Sequence, residues 1–489
     1  MNCYKDHHIY KNPYLVTEKI DENFYAVYNP FINNGLKVLN INQYEILKSI
    51  ENGDTLSNLA CRNNLTSDEI LSLYKILEEK EFLKLENSFE NEPKKGKITT
   101  LHLWVQTTNE CNLRCSYCYI HTLGQKEYLK DSEISVFIDK LVETAIAKNL
   151  KEIKLRFAGG EPLLKFNLWK TILPKMKERL SAINCTLKVG FLSNLVALND
   201  DIIEYMKNNA IGIGVSIDGL HGYQDASRHF ANGKGSFDIV VKNIDKLKQN
   251  GFTPSLMTVI SNSNLDGLED FTKYVISRKL HCRYSFVSGE MIDVEKLKIV
   301  LKKCYDIFES AIDRGYEFSR LHQLCDLKFD RLSFQTCSDG YNGGALYTNG
   351  DIYFCQRHFG VESPVGSIYE EDDIISIIQR KSYYGEVNQE CKQCQYRYMC
   401  TSGCPIERTN NKDPHCEIYK EFIPTIIRLR GKERIFKIRK NYMLKHVNEI
   451  DIPGFCTLDL FDCINEEDFE IYPNDSLGEC IIDDISPIE

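Results

Sequence analysis

Three cysteines fall within eight positions of the stretch TTNECNLRCSYCYIHT, residues 107–122: Cys111, Cys115 and Cys118. Thiolates are ligands for soft metals and iron–sulfur clusters. A structural zinc ion takes four ligands, and His121 is the nearby candidate for a fourth. A [4Fe–4S] cube has four irons, so three cysteines leave one iron open to a small molecule. The spacing therefore favours a cluster whose fourth ligand is a substrate.

The stretches that must position these cysteines alternate between strand and helix from about residue 98 to 315. Helical stretches such as DSEISVFIDKLVETAIAKNL and FDIVVKNIDKLKQN separate the strands, which predicts a parallel α/β sheet or barrel. The polar motifs lie where strands end, at the face where such folds bind ligands. The predicted strands are LHLWVQTT (101–108), EIKLRFAGG (152–160), LKVGFLSN (187–194), IGIGVSIDG (211–219), SLMTVIS (255–261) and CRYSFVSG (282–289).

The motif Cys-x3-Cys-x2-Cys, with Tyr117 before its third cysteine and a strand before its first, resembles that of the radical S-adenosylmethionine (SAM) enzymes. The resemblance spans about 105–420. It implies a partial (β/α)6 radical SAM barrel in the α/β class. It also implies a [4Fe–4S] cluster held by three cysteines and by SAM. In that family an electron from the cluster cleaves SAM to methionine and a 5′-deoxyadenosyl radical, which abstracts a substrate hydrogen.

Downstream motifs agree with this resemblance, which implies SAM contacts at the ends of the next strands. FAGGEP carries the stretch that in the family hydrogen-bonds the methionine ammonium, and its glycines allow close backbone approach. An arginine in DASRHFANGKGSF resembles one that pairs with the SAM carboxylate, for which a guanidinium is well shaped. The alternatives are a plain turn, an N-cap serine and a surface arginine. The implied cofactor-binding residues are Gly159, Gly160, Glu161, Ser193, Asn194, Ser216 and Arg228; no catalytic side chain is assigned.

Seven further cysteines, with Gly350 between the first two, follow the spacing of the SPASM domain. Such domains carry auxiliary [4Fe–4S] clusters in many peptide- and protein-modifying radical SAM enzymes. The family pattern gives Cys391, Cys394, Cys400 and Cys416 to a distal cluster, and Cys337, Cys355 and Cys404 to a proximal one. The proximal cluster either takes Cys325 as its fourth ligand or keeps an iron open for a substrate thiolate. A pair of zinc ribbons is the alternative to both clusters.

Residues 1–92 have a different pattern. Strand-like NFYAVYN and LKVLNI precede helical repeats, a capping box TSDE at 66–69 and a closing strand at 82–85. This predicts an N-terminal winged-helix-like module, which resembles the precursor-recognition domains of enzymes that modify ribosomal peptides. Such domains bind a leader along a sheet edge. An unrelated winged helix is the alternative. The polar stretch 90–97 is a predicted linker.

Composition narrows the function classes. The chain has 489 residues and a net charge of −10, so nucleic acid is not a favoured partner. The first residues lack a signal peptide, and no apolar run is long enough for a membrane span. We therefore expect a cytoplasmic protein. Nineteen cysteines in a reducing compartment indicate metal ligation or catalysis rather than disulfides.

The expected domains are residues 1–92, the radical SAM core at 98–315, the cysteine-rich SPASM region at 325–420, and a basic helix with an acidic tail at 421–489. The tail, from Asn448, is expected to be solvated; it could also dock on the basic stretch 428–440, inhibit, or be modified itself.

The expected function is a peptide maturase that installs a crosslink, most plausibly a cysteine thioether, in a ribosomally made precursor peptide. An electron donor such as flavodoxin or ferredoxin would supply the reducing electron. Carbon–carbon crosslinking uses the same architecture and stays open. So does an anaerobic sulfatase maturase, although Gln356 stands where those enzymes have an aspartate. The non-enzymatic alternative is a zinc-stapled peptide-binding adaptor.

Overall fold

The N-terminal part of the computed structural model is a small module of strands and helices. The structure describes residues 7–89, 96–123, 127–318, 324, 327–329, 335–382 and 387–445, with backbone only for 441–445. The strands of the module are β1 His8–Lys11, β2 Val16–Lys19, β3 Phe24–Tyr28, β4 Leu36–Asn40, β5 Asp54–Thr55 and β6 Leu83–Lys84, and its helices are α1 Ile41–Ser49, α2 Leu56–Arg62 and α3 Ser67–Glu78.

The strands of the module form two small antiparallel sheets, and a capping box begins its third helix. β2, β3 and β4 form an antiparallel sheet, and β1 lies between β5 and β6. The expected capping box is present at α3, where Thr66 and Glu69 satisfy each other's backbone N–H groups. The expected closing strand is the short β6. The module therefore has the predicted order of strands, helices and a final strand.

The six strands expected between residues 98 and 315 form the central parallel sheet. They are β7 Thr100–Thr108, β8 Glu152–Gly159, β9 Thr186–Ser193, β10 Gly212–Ser216, β11 Ser255–Ile260 and β12 His281–Phe286. They lie side by side in chain order and each pair is parallel, as a partial (β/α)6 barrel requires. The β7–β8 register shifts between Gln106 and Thr108, just before the three-cysteine loop.

Helices separate these strands and cover the sheet with apolar side chains. The buried core includes Phe137, Trp169, Ile244, Phe271 and Phe308, all from helices of this layer. The helices are α4 Asp131–Lys148, α5 Phe166–Ser181, α6 Asp200–Asn208, α7 His221–Ser227, α8 Phe237–Gln249, α9 Leu268–Ser277 and α10 Val294–Ile312.

The cysteine-rich region joins the same sheet. Its elements are β13 Gly343–Leu346, β14 Asp351–Tyr353, β15 Gly366–Ser367, α11 Ile374–Ile378, α12 Gln389–Gln393 and α13 Arg397–Cys400. β13 pairs in parallel with β7, and β14 and β15 follow in antiparallel order, so the sheet has nine strands within the described residues. The expected core and cysteine-rich regions therefore share one sheet.

Helix α14, Cys416–Lys445, connects this region to the N-terminal module. It packs on α10 and on β2, β3 and β4. Arg428 holds Glu309 with two nitrogens, one at 2.8 Å, and Lys432 pairs with Asp313 at 2.9 Å. Two basic residues of the stretch 428–440 are thus already paired with acidic residues of α10 and its C-cap. The acidic tail lies outside the described residues. No helix in the described part of the chain, α14 included, is long and apolar enough to cross a membrane.

Gly431 of α14 generates a stability prediction. A Cβ added there would lie 2.7 Å from Ile20 Cδ1 and 2.9 Å from Ala26 Cβ, so a side chain would push α14 off the module's sheet. We expect Gly431→Val to cost about 1–3 kcal/mol through overpacking. Differential scanning calorimetry would show a lower Tm. Gly222→Val, in α7 with open space around it, is the matched control and should leave the Tm nearly unchanged.

Candidate active site

The three-cysteine loop follows β7 and is held by the segment after α7. Arg114 N donates to His229 O at 2.7 Å and Ser116 N donates to Ser227 O at 2.9 Å. These bonds fix the loop on both sides of Cys115. The anchoring residues lie at and just after the end of α7, the helix that follows β10. The fold thus brings together residues about 110 positions apart in the sequence.

The thiols of the loop are close enough to interact electrostatically. The pKa of Cys111 is raised to about 12, mainly by burial, with smaller contributions from Glu161, Cys115 and Cys118. Burial also raises the pKa of Cys115, against the lowering effect of Arg228. Within the described residues, no three His, Cys, Asp or Glu side chains converge at the spacing of a single metal ion.

Two nitrogen donors reach the loop's sulfurs. Asn194 Nδ2 lies 3.6 Å from Cys111 Sγ and donates to Asn112 Oδ1 at 2.8 Å. Arg228 Nη1 lies 3.9 Å from Cys115 Sγ. Donors beside buried sulfur would stabilise thiolates. Both residues are among the predicted cofactor contacts, and the structure brings both to the cysteine loop.

Gly159 and Gly160 are required by the protein's own backbone. A Cβ at Gly159 would collide with Thr108 O, and one at Gly160 with Glu110 O. Gly159 also has a φ of 142°, which favours glycine. The two glycines thus let the backbone of the FAGGEP turn approach the end of β7 closely; the sequence predicts a close approach to a ligand at the same glycines. The contact with β7 places the FAGGEP turn against the start of the cysteine loop.

The carboxylate of Glu161, a predicted SAM contact, is surrounded by hydrogen-bond donors of the protein itself. It is fully buried and accepts from Leu163 N at 3.1 Å, Ser193 Oγ at 2.7 Å and Asn194 N at 2.8 Å. Burial raises its pKa to about 7, although all three donors lower it. The Ser193 hydroxyl also accepts from Leu195 N at 2.8 Å. Glu161 thus ties the end of β8 to the end of β9.

Arg228 is engaged by Asp218, a residue that the sequence reasoning missed. Arg228 donates to Asp218 from Nε at 2.8 Å and from Nη2 at 3.2 Å. Tyr117 donates its hydroxyl to the same carboxylate at 2.6 Å. The available signal was the SIDG stretch, where an aspartate follows a buried strand. Ser216 ends β10 two residues earlier, partly exposed.

The four cysteines assigned to the distal cluster line one open cavity. Aromatic, aliphatic and charged residues line it together with these cysteines. The lining residues are Glu390, Cys391, Cys394, Tyr396, Arg397, Cys400, Ser402, Cys416, Tyr419, Lys420 and Ile423. Cysteines from α12 and the residue that follows it, from the end of α13 and from the start of α14 therefore line one cavity.

The three cysteines assigned to the proximal cluster also lie together. Burial raises the pKa of Cys337 and of Cys355 well above the usual range, and the Cys404 thiol contributes to both shifts. Cys325, their candidate fourth partner, lies outside the described residues. Tyr119, which directly follows Cys118, interacts electrostatically with one cysteine of this set. Burial raises its pKa, and the Cys355 and Cys118 thiols add to that effect.

His121, the alternative zinc ligand, lies in the turn that follows Tyr119. Its Nε2 is buried and makes no hydrogen bond in the described part of the chain. Burial and the Arg114 charge lower its pKa. It does not join the cysteines in a group spaced for a single ion.

Comparison with known proteins identifies relatives of this arrangement. An uncharacterized protein of Methanocaldococcus jannaschii is 36% identical over 56% of this chain and 90% of its own length. The serine-type anaerobic sulfatase-maturating enzyme of Bacteroides thetaiotaomicron is 23% identical over 61% of this chain and 80% of its own. The radical SAM cyclopropyl synthase TigE of Paramaledivibacter caminithermalis is 22% identical over 85% and 94%.

A solved structure shares the fold. Native anSMEcpe with bound AdoMet and Cp18Cys peptide superposes with a TM-score of 0.57 at 17% identity, covering 68% of this chain and 99% of its own. The family model for the Radical SAM superfamily matches residues 105–275, from the middle of β7 to near the end of α9. The chain therefore belongs to the radical SAM superfamily, as a SAM-cleaving redox enzyme related to sulfatase maturases and peptide modifiers.

Proposed function

We propose that the chain is a peptide maturase that uses a 5′-deoxyadenosyl radical to install a crosslink, a cysteine thioether, in a ribosomally made precursor peptide. The observation that carries the proposal is the gathering of cysteines: three in the loop after β7, three that interact with one another in the cysteine-rich region, and four that line one cavity. Because the chain belongs to a superfamily of SAM-cleaving enzymes, it is not the non-catalytic, zinc-stapled peptide-binding adaptor that the sequence left as an alternative.

The residues at the end of β7 fit the first cofactor pair. When bound, the [4Fe–4S] cluster and SAM would supply the radical that takes a hydrogen atom from the peptide. Cys111, Cys115 and Cys118, which are all partly buried, would hold three irons. Asn194 and Arg228 would donate toward sulfur, while Glu161 and Asp218 hold those two donors in place. Gly159, Gly160, Ser193 and Ser216 stay proposed as backbone or hydroxyl contacts of SAM.

The auxiliary cysteines fit two further clusters. Cys391, Cys394, Cys400 and Cys416 would hold the distal one; Cys337, Cys355 and Cys404, with Cys325 or a substrate thiolate, would hold the proximal one. Thioether formation removes one hydrogen from carbon and one from sulfur. One leaves as a hydrogen atom to the radical, and the other as a proton and an electron. These clusters would accept that electron, and a flavodoxin or ferredoxin would supply the one that starts each turnover.

We propose that the N-terminal module binds the leader of the precursor. Its β2–β3–β4 sheet has two edge strands, β2 and β4, and α14 packs on all three strands. A peptide could add to an edge and use the backbone for affinity. Exposed Thr17 and Lys19 and buried Val16 on β2 give the alternation that a peptide-binding edge needs.

A second candidate, oxidation of a sulfatase residue without a crosslink, is favoured by the sulfatase-maturating relatives. The residue after Cys355 argues against this candidate, because it is the neutral amide Gln356 where sulfatase maturases have an aspartate. Gln356 Oε1 lies 3.3 Å from Cys355 Sγ. Incubation with a sulfatase-derived peptide separates the two functions. Oxidation of that peptide, with no change in a cysteine-rich precursor encoded beside the gene, would favour the second candidate.

Loss of the first cysteine set should abolish SAM cleavage. The variant is Cys111, Cys115 and Cys118→Ala, and the measurement is 5′-deoxyadenosine formed under reducing, anaerobic conditions. The auxiliary sets should still bind iron, so iron content falls only in part. Cys61→Ala, at an exposed cysteine outside all three sets, is the control and should keep full activity. SAM cleavage by the triple variant would refute the assignment.

Crosslinking should be visible by mass spectrometry. After anaerobic turnover with SAM, a precursor encoded next to the gene should lose the mass of two hydrogen atoms. One fewer thiol should then react with an alkylating reagent. A two-hydrogen loss with an unchanged thiol count would instead indicate a carbon–carbon bond. An unchanged precursor mass while SAM is cleaved would contradict crosslinking.

Asp218→Asn should destabilise the protein, because Arg228 would remain buried without a compensating charge. We expect a loss of about 3 kcal/mol in the free energy of unfolding, measured on the iron-free protein by denaturant titration. SAM affinity of the reconstituted protein should fall as Arg228 reorients. Asp201→Asn, which breaks a surface pair with Lys170, is the control and should cost less than about 1 kcal/mol. Equal costs for the two variants would argue against a special role for the buried pair.

A further inference from the structure

The turn between Cys400 and Cys404 has an unusual backbone. Its three residues are all left-handed, with φ of 52° at Thr401, 61° at Ser402 and 72° at Gly403. The left-handed region costs an L-residue about 1–2 kcal/mol, and a β-branched threonine is rare there. Such a turn persists only where its surroundings impose it.

One side chain binds all three carbonyls of this turn. Arg408 donates from Nε to Ser402 O at 3.0 Å, and from Nη2 to Thr401 O at 3.1 Å and Gly403 O at 3.3 Å. Thr336, directly before Cys337, donates its hydroxyl to Gly403 O at 2.6 Å. A planar guanidinium with five donors in a fixed fork is suited to such a cluster of acceptors.

The turn separates two cysteines of different sets. Cys400 belongs to the distal set and Cys404 to the proximal set. The Arg408 guanidinium interacts electrostatically with Cys404 of the proximal set, with Cys391 and Cys400 of the distal set, and with Asp413. Asp413 is the acidic group at the turn: a Cβ at Gly403 would collide with its carboxylate, and it is almost fully buried.

We propose that Arg408 is a positioning residue for the two auxiliary clusters: it fixes the spacing of their ligands and holds one positive charge between them. The inference rests on the proposed function, because it requires both clusters. Reduction adds negative charge to a cluster, so a cation nearby stabilises the reduced form and raises the reduction potential. A charge placed between two clusters should raise both potentials, which would help them accept the electron released by the substrate.

The test uses the full chain with Cys111, Cys115 and Cys118→Ala, reconstituted with iron and sulfide, so that only auxiliary clusters remain. Potentials are measured by redox titration followed by electron paramagnetic resonance. In the Arg408→Gln protein both potentials should shift to more negative values. In the Arg408→Lys protein, which keeps the charge, both should stay near those of the parent. The Lys protein should still lose thermal stability, because an ammonium cannot reproduce the fork on three carbonyls. Arg380→Gln is the control: its partners lie at residues 365–372, outside both cysteine sets, so neither potential should move.

The outcomes separate the inference from the function on which it rests. If the protein with Cys111, Cys115 and Cys118→Ala binds no iron after reconstitution, both the assignment of the auxiliary clusters and the inference are refuted. Two clusters whose potentials are unmoved by Arg408→Gln, or a shift in only one of them, refute the inference alone. If the Arg408→Gln protein does not retain its clusters, the potentials and the Tm of the Arg408→Lys protein provide the test. Parental potentials with a lower Tm then support the proposal, and an unchanged Tm or a fall in both potentials overturns it.

Discussion

The buried carboxylate of Asp218 is the interaction on which the geometry of the active site depends. It is fully buried, so its charge must be compensated inside the protein. Arg228 supplies the charge, and Tyr117, Ser227 Oγ and Val259 N supply further hydrogen bonds. Tyr117 belongs to the cysteine loop, Arg228 to the segment after α7, and Val259 to β11. One carboxylate therefore fixes the cysteine loop relative to the segment after α7 and to β11. Because it holds Nε and Nη2 of Arg228, it also directs Nη1 toward Cys115 Sγ.

A second constraint is the parallel pairing of β13 with β7, which makes the cysteine-rich region an extension of the barrel sheet. The strand that leads into the first cysteine loop thereby lies next to the β13–β14 pair that leads to Cys355. Asn109, two residues before Cys111, donates to the Tyr347 hydroxyl at 2.6 Å, next to β13. Tyr119 interacts electrostatically with both Cys118 and Cys355. The relative position of the first and proximal cysteine sets is thus set by sheet hydrogen bonds rather than by a linker, as electron transfer over a fixed distance would require.

Features that depend on local pattern could be predicted from the sequence, whereas long-range contacts could not. The six barrel strands, the capping box at Thr66 and the grouping of cysteines follow from periodicity and spacing over a few residues. The protein partners of Glu161 and Arg228 depend on where β9 and Asp218 lie in space. The sequence therefore predicts FAGGEP and Arg228 as SAM contacts, and it gives no sign of the protein groups that hold Glu161 and Arg228. The pairing of β13 with β7 joins residues about 240 positions apart, and no local pattern encodes it.

Helix α14 limits how independent the regions can be. It starts at Cys416, a distal ligand candidate, and its other end packs on the sheet of the N-terminal module. Val16, Ala26, Tyr28 and Leu36 of that module belong to the same continuous core as the barrel. The Tyr28 hydroxyl also donates to Phe329 O at 2.8 Å, across the boundary. Since buried apolar surface and a buried hydrogen bond both cross this boundary, removing residues 1–92 would expose the core as well as remove the edge that we propose binds the leader. Substitutions on the exposed side of β2 therefore test leader binding more cleanly than deletion, because they leave the shared core in place.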